Sequence, residues 1–295
     1  MNRSRLISRL LEPRLKLATV SGVLTTRADL IAWVDRHIPE IELISTKSYQ
    51  VRPNPGNREP ILVEPEPGCF GNAVGLRNPG MEEGFRELAA LRRARPLRAL
   101  LAVSLSADCI EDFILLARRF APVADLLELN FSCPHARGGY GSAIGAGAET
   151  VAAFVEAIRR STQALLFPKL TPNAADIGAI ARAAVRAGAD GISAINTVGP
   201  EVFTEPLSGR PVLSNPNGRK GGKSGLWIRE TARQKIAEIR RAVGPDLPIL
   251  GMGGVSSGRD ALLLMEAGAN TVCLLYTSDA ADDLLCVDLG GRRII

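Results

Sequence analysis

A chain of 295 residues with 46% hydrophobic content can bury one large α/β core or two smaller ones. It contains no run of 18 apolar residues, and its start, MNRSRLISRLLEPRLK, has no continuous apolar region, so the expectation is a soluble, cytoplasmic protein with neither membrane span nor signal peptide. A net charge of +5 with 4% aromatic residues argues against a nucleic-acid partner, whose footprint is a concentrated basic stripe interleaved with aromatics. Five cysteines (Cys69, Cys109, Cys133, Cys273 and Cys286) occur without CxxC spacing, so no disulfide framework, zinc site or iron–sulfur cluster is expected. Any one-electron relay would come from a partner.

The first sixteen residues read as a short basic amphipathic helix, one that closes the bottom of a barrel in preference to one lying on a membrane. From there, short apolar runs alternate with amphipathic stretches, the rhythm of a parallel βα sheet. Strands are predicted near Leu15–Val20, Glu42–Ser45, Ala99–Ser104, Leu126–Asn130, Leu165–Leu170, Gly191–Asn196, Pro248–Gly251 and Thr271–Leu274. Helices are predicted near Ala28–His37, Glu82–Arg93, Ile110–Phe120, Thr150–Ser161, Ala174–Ala187, Trp227–Val243 and Gly258–Ala267. Eight strands, each followed by a helix, point to a single-domain (β/α)8 TIM barrel. Two long connections, Tyr49–Pro79 and Gly199–Gly225, are rich in Pro, Gly and Asn and leave the same end of the strands, where barrels build their sites.

The ends of the predicted strands carry polar groups in sequence: Ser21 with Gly22, Thr46 with Lys47 and Ser48, Ser104, Asn130, Lys169, Asn196 with Thr197, and Gly253 with Gly254. One such ending is an ordinary cap or turn, but seven at one mouth imply a site. Lysine sharpens this reading, because 30 of the 36 basic residues are Arg, yet Lys47 and Lys169 close apolar runs where a compact ammonium differs chemically from a guanidinium. The stretch NFSCPH places an amide, a hydroxyl, the thiol of Cys133 and the imidazole of His135 just before a glycine-rich loop; a buried strand with an ordinary turn reads equally well from those residues alone. Two glycine-rich runs, Gly221–Gly225 and Gly251–Gly258, each precede a predicted helix and suit a phosphate, so a phosphorylated cofactor is expected.

The ordered set TKS, NAVGLRNPG, NFSCPH, KLTPN, INT, GGKSG and GMGGVSS resembles the class 1, cysteine-using branch of the FMN-dependent dihydroorotate dehydrogenase family, from about Leu17 to Val272. That resemblance implies oxidation of dihydroorotate to orotate in de novo pyrimidine biosynthesis, with Cys133 as the base at C5 and hydride passing from C6 to FMN. It implies substrate contacts from Lys47, Asn72, Gly75, Leu76, Asn130, His135, Asn196 and Thr197. It also implies FMN contacts from Ser21, Gly22, Lys47, Ser48, Ser104, Asn130, Lys169, Ile195, Gly225, Gly253 and Gly254, and no metal. The implied partners are the small-molecule substrate and an electron-transfer flavin and iron–sulfur subunit, in a homodimer or heterotetramer. A thiol with an ordinary value near 8.5 can serve as a base near neutral pH where nearby cations favour its thiolate.

Three departures accompany the resemblance. His135 stands where most members carry Asn, and SCPH with KLTPN and NTV is also similar to the pyrimidine-reducing domain of dihydropyrimidine dehydrogenase, which keeps uracil or thymine open as the substrate. Ser104 replaces an Asn frequent in NAD-linked members. Leu275 and Tyr276 stand where a Gly-Thr pair completes the family's phosphate site, and residues 273–295 do not resemble the family. The expectation is therefore a barrel over 1–272 with an incomplete eighth β/α unit and an artefactual tail, and a truncated barrel without activity is the non-enzyme alternative.

Overall fold

The computed structural model describes residues 2–131, 142–216 and 218–274; Cys133, His135, Leu275, Tyr276 and Cys286 lie outside them. Eight parallel strands close into a barrel in the order β1-β12-β11-β8-β7-β6-β5-β2. They are β1 (Leu17–Thr19), β2 (Ile41–Ser45), β5 (Leu100–Leu105), β6 (Leu126–Asn130), β7 (Leu165–Leu170), β8 (Ile192–Ala194), β11 (Ile249–Met252) and β12 (Thr271–Leu274). The last strand pairs with β11 on one side and β1 on the other, so Cys273 and Leu274 belong to the barrel and the ring is complete.

Helices α2 (Ala28–His37), α3 (Met81–Ala94), α4 (Ile110–Phe120), α6 (Ala148–Ser161), α7 (Ile177–Arg186), α8 (Arg229–Val243) and α9 (Gly258–Glu266) follow barrel strands, with a single turn, α5 (Ser142–Gly145), before α6. Alternation along the strands divides the core. Leu101, Val103, Leu127, Leu129, Leu166 and Leu170 face the helices. Leu43, Leu100, Ala102, Leu126, Leu165, Phe167, Leu250 and Cys273 face inward.

The barrel floor is closed by α1 (Arg3–Leu11), whose Leu6 and Leu10 join the inward-facing cluster. Arg3 pairs with buried Asp190, which also holds Arg159 at 3.0 Å, and Arg9 lies 3.8 Å from Glu42, which also pairs with Arg14 just past the helix, so the basic face of α1 is clamped to the rim while its apolar face plugs the opening. Among the described residues no helix is long and apolar enough to cross a membrane.

The two long connections are not irregular. They contribute β3 (Leu62–Glu66) and β4 (Cys69–Asn72) from one and β9 (Val198–Val202) and β10 (Lys220–Gly225) from the other, which join as an antiparallel sheet in the order β3-β4-β10-β9. Glycine content disguises these strands, because Gly weakens a strand unless a neighbour approaches closely. Here neighbours do: a Cβ on Gly71 would lie 2.6 Å from the Phe203 ring, and one on Gly221 2.4 Å from Leu213 Cδ1.

Leu10 is 2% exposed at the centre of the plug. Leu10→Ala should cost about 2–5 kcal/mol in denaturant unfolding through lost burial and a residual cavity, whereas Leu15→Ala, on a side chain 40% exposed, should cost under about 1 kcal/mol.

Candidate active site

Below the C-terminal mouth the inward-facing positions turn from apolar to polar. Glu128 sits in the middle of β6, fully buried, one step below Asn130 on the same face of the strand. Its Oε2 accepts from Ser193 Oγ at 2.6 Å, its Oε1 accepts from Ser104 Oγ at 3.2 Å, and Lys169 Nζ lies 3.7 Å from Oε1. From Ser104 the chain of hydroxyls runs upward: Ser48 Oγ is 2.9 Å from Ser104 Oγ and 3.3 Å from Ser21 Oγ. Asn130 Nδ2 donates to Ser48 Oγ at 3.3 Å, Asn196 Nδ2 donates to Asn130 Oδ1 at 3.3 Å, and Asn196 Oδ1 accepts from the Thr197 amide at 2.8 Å. Side chains from six strands or the turns directly after them are thus linked into one layer.

Lys47 completes this layer on the side of the first strand. Its Nζ would lie 3.0 Å from a Cβ on Gly22, whose φ of +83° suits glycine, so the ammonium crosses a bare turn beside Ser21. Across the mouth, Ile195 donates its amide to Met252 O at 3.1 Å, and its Cγ1 lies 3.4 Å from the Cβ position of Gly253.

The glycine-rich runs behave differently from each other. Gly221–Gly225 is strand β10 rather than a loop at a helix start; only Gly225, at φ +78°, leads into the turn before α8, and a Cβ there would fall 2.0 Å from Gly68 O. Gly253 and Gly254, at φ +129° and +70°, do form a turn after β11, pressed against the start of α8, where Arg229 Nε donates to Gly254 O at 3.1 Å. Among the described residues no backbone hydrogen bond engages the amides of Gly253 and Gly254. The adjoining α9 start is occupied internally, because Asp260 Oδ2 accepts from the Ser256 amide at 3.0 Å and Ser257 caps Asp260. An anion at this corner would therefore meet the diglycine, not the helix end.

Asn72 ends β4 on the second sheet, where its Nδ2 lies 3.4 Å from Gly222 O and from Ser224 Oγ. Gly75 and Leu76, both at positive φ, follow in a loop held by buried amides. Asn54 Nδ2 donates to Gly75 O at 3.2 Å, while Asn78 donates to Leu76 O at 2.8 Å and to Gln50 Oε1 at 2.9 Å and accepts from the Gly80 amide at 2.9 Å. Sequence reasoning does not single out Glu128, Ser193, Asn78 or Gln50. The available signal for Glu128 is an acidic residue inside the apolar run LLELN, since a buried carboxylate needs partners.

A family model described as dihydroorotate dehydrogenase matches residues 17–288. The chain belongs to the dihydroorotate dehydrogenase family. It is 39% identical over 229 residues to the dihydroorotate dehydrogenase B (NAD(+)) catalytic subunit of Methanothermobacter thermautotrophicus, covering 78% of this chain and 72% of that one. It is 34% identical over 263 residues to the protein of the same name from Desulforudis audaxviator, covering 87% and 82% respectively. In structure it is similar to an Eimeria tenella DHODH solved in complex with ferulenol, with a TM-score of 0.72 at 19% identity, covering 88% of this chain and 74% of that one; this likeness concerns the fold. These two relatives carry the NAD-linked name, and the family match runs past the Val272 limit set by the sequence.

Cys273 faces the barrel interior, and burial, reinforced by the Glu128 charge and opposed by Lys169, pushes its thiol up to about 12. It should resist alkylation by iodoacetamide at pH 8 in folded protein and react on unfolding, as read by peptide mass spectrometry. Because its folded value is raised, its contribution to stability is complete below the unfolded value near 8.5 and is lost as pH rises towards about 12.

Proposed function

We propose that this chain is the catalytic chain of an FMN-dependent dihydroorotate dehydrogenase, oxidising dihydroorotate to orotate in pyrimidine biosynthesis. The observation that carries this reading is the hydrogen-bonded polar layer at one mouth of a closed barrel, with two lysines, two asparagines and an open diglycine turn. These groups suit a phosphorylated flavin: Gly253 and Gly254 offer amides free of any Cβ for the phosphate, Lys47 and Lys169 supply cations, and Asn130 has an amide for ring polar atoms. Ser21, Gly22, Ser48, Ser104, Ile195 and Gly225 complete the proposed FMN contacts. FMN bound there supplies the hydride acceptor.

Substrate is held, on this reading, by Lys47, Asn72, Gly75, Leu76, Asn130, His135, Asn196 and Thr197. The lysine favours a carboxylate, and the asparagines each offer a donor and an acceptor to an imide edge. Cys133, three residues past Asn130 in the chain, takes the C5 proton as its thiolate. The chain's task is to fix substrate and acceptor in register and to move one proton. Electrons leave through a partner subunit, in keeping with the relatives' name "catalytic subunit"; that this partner carries flavin and an iron–sulfur cluster is what the family resemblance implies. A separate tail, beginning after β12 ends at Leu274 and not at residue 273, and a cytoplasmic location belong to the same reading.

Anaerobic addition of dihydroorotate to the FMN-loaded protein should bleach the visible flavin band. Bleaching by dihydrouracil with dihydroorotate inert would move the assignment to a dihydropyrimidine dehydrogenase-like reaction. Cys133→Ala should slow bleaching by roughly two to four orders of magnitude while FMN stays bound, and Cys133→Ser should recover partly in alkali. Full speed in Cys133→Ala would remove the thiol from the mechanism.

A further inference from the structure

The carboxylate of Glu128 is out of place on stability grounds alone. It is fully buried inside the barrel, level with Phe167 in register, among positions that apolar side chains fill elsewhere. A buried ion pair contributes little net stability compared with an apolar pair of the same volume, because both ions lose their water. Its retention calls for a cation that has to be there. That cation is Lys169, whose side chain is 9% exposed and whose strand position pairs with Asn130 and Ser193.

We infer that Glu128 is a positioning residue for the cofactor site, holding the Lys169 ammonium at the mouth without itself touching the flavin; this rests on the FMN reading above. Ser193 and Ser104 fix the carboxylate from two sides, at 2.6 and 3.2 Å. At 3.7 Å the contact to Lys169 is an ion pair rather than a closed hydrogen bond, so the three ammonium donors are not consumed by Glu128 and stay available to a ligand above. Through Ser104 and Ser48 the same carboxylate also orders Ser21 and Asn130. Without the counter-charge, an ammonium this buried is left unpaired in a low-dielectric interior, and its withdrawal towards water removes it from the ligand.

The test is a double-mutant cycle on FMN affinity, measured by quenching of flavin fluorescence on titration into apoprotein. Glu128→Gln keeps the shape and removes the charge, with one serine hydroxyl turning to accept from the new amide instead of donating. It should weaken FMN binding about tenfold in the wild-type background and under about twofold in a Lys169→Gln background. Glu128→Asp, which keeps the charge on a shorter arm, should recover part of the loss. If Glu128→Gln fails to fold, Ser193→Ala loosens the carboxylate with both charges intact, and it should weaken FMN binding only when Lys169 is present. Unchanged or tighter binding in Glu128→Gln or Ser193→Ala, equal loss in both backgrounds, or no recovery with Asp would overturn the inference. Wild-type apoprotein that does not take up FMN would instead contradict the proposed function.

Discussion

A closed barrel has one interior, and every second side chain of its eight strands must share it. In this protein that constraint is met by stratification. The floor is apolar and plugged by Leu6 and Leu10 of α1, and the upper part is polar and satisfied by mutual hydrogen bonds. A polar group at that depth is tolerated only with partners, so the serines, asparagines and lysine of the upper layer form a connected set rather than a scatter of strand ends. Glu128, level with Ser104 in register, ties three of these strands together through Ser104, Ser193 and Lys169.

Stratification also explains how a barrel of ordinary composition becomes a site. The apolar floor excludes water and fixes the strands, and rigid strands hold Asn130, Lys169 and Asn196 at the mouth with little entropy left to lose on binding. Above them, the second sheet brings Asn72 and Ser224 together across 152 residues of sequence. The loop carrying Gly75 and Leu76 is braced by Gln50, Asn54 and Asn78, so its two positive-φ residues are held by hydrogen bonds that the surrounding fold supplies.

The barrel was legible in the sequence because buried parallel strands are continuous apolar runs ended by polar residues. Residues 126–130, 165–170 and 271–274 match their predicted bounds, as do α2 and α4. Helix α7 starts later than its periodicity suggests because Asp176 caps it, accepting from the Ala179 amide at 2.7 Å. The four-stranded second sheet was hidden, since its strands are rich in glycine and proline and pair with partners far away in the chain. Glu128 was hidden for another reason: one acidic residue in a strand reads as a solvent-facing position until the barrel closes around it. The resemblance drawn from TKS, NFSCPH, KLTPN and GMGGVSS led to the family that the comparisons establish.

The central claim is that the polar mouth is where FMN binds, and the six lysines of the chain test it directly. Lys47 and Lys169 belong to the mouth, while Lys16, Lys220, Lys223 and Lys235 do not. Mild acetylation of the folded protein with and without FMN, quantified by peptide mass spectrometry, should show protection by FMN at Lys47 and Lys169 and unchanged labelling at Lys220 and Lys235. FMN that binds while leaving Lys47 and Lys169 as reactive as before would contradict the account.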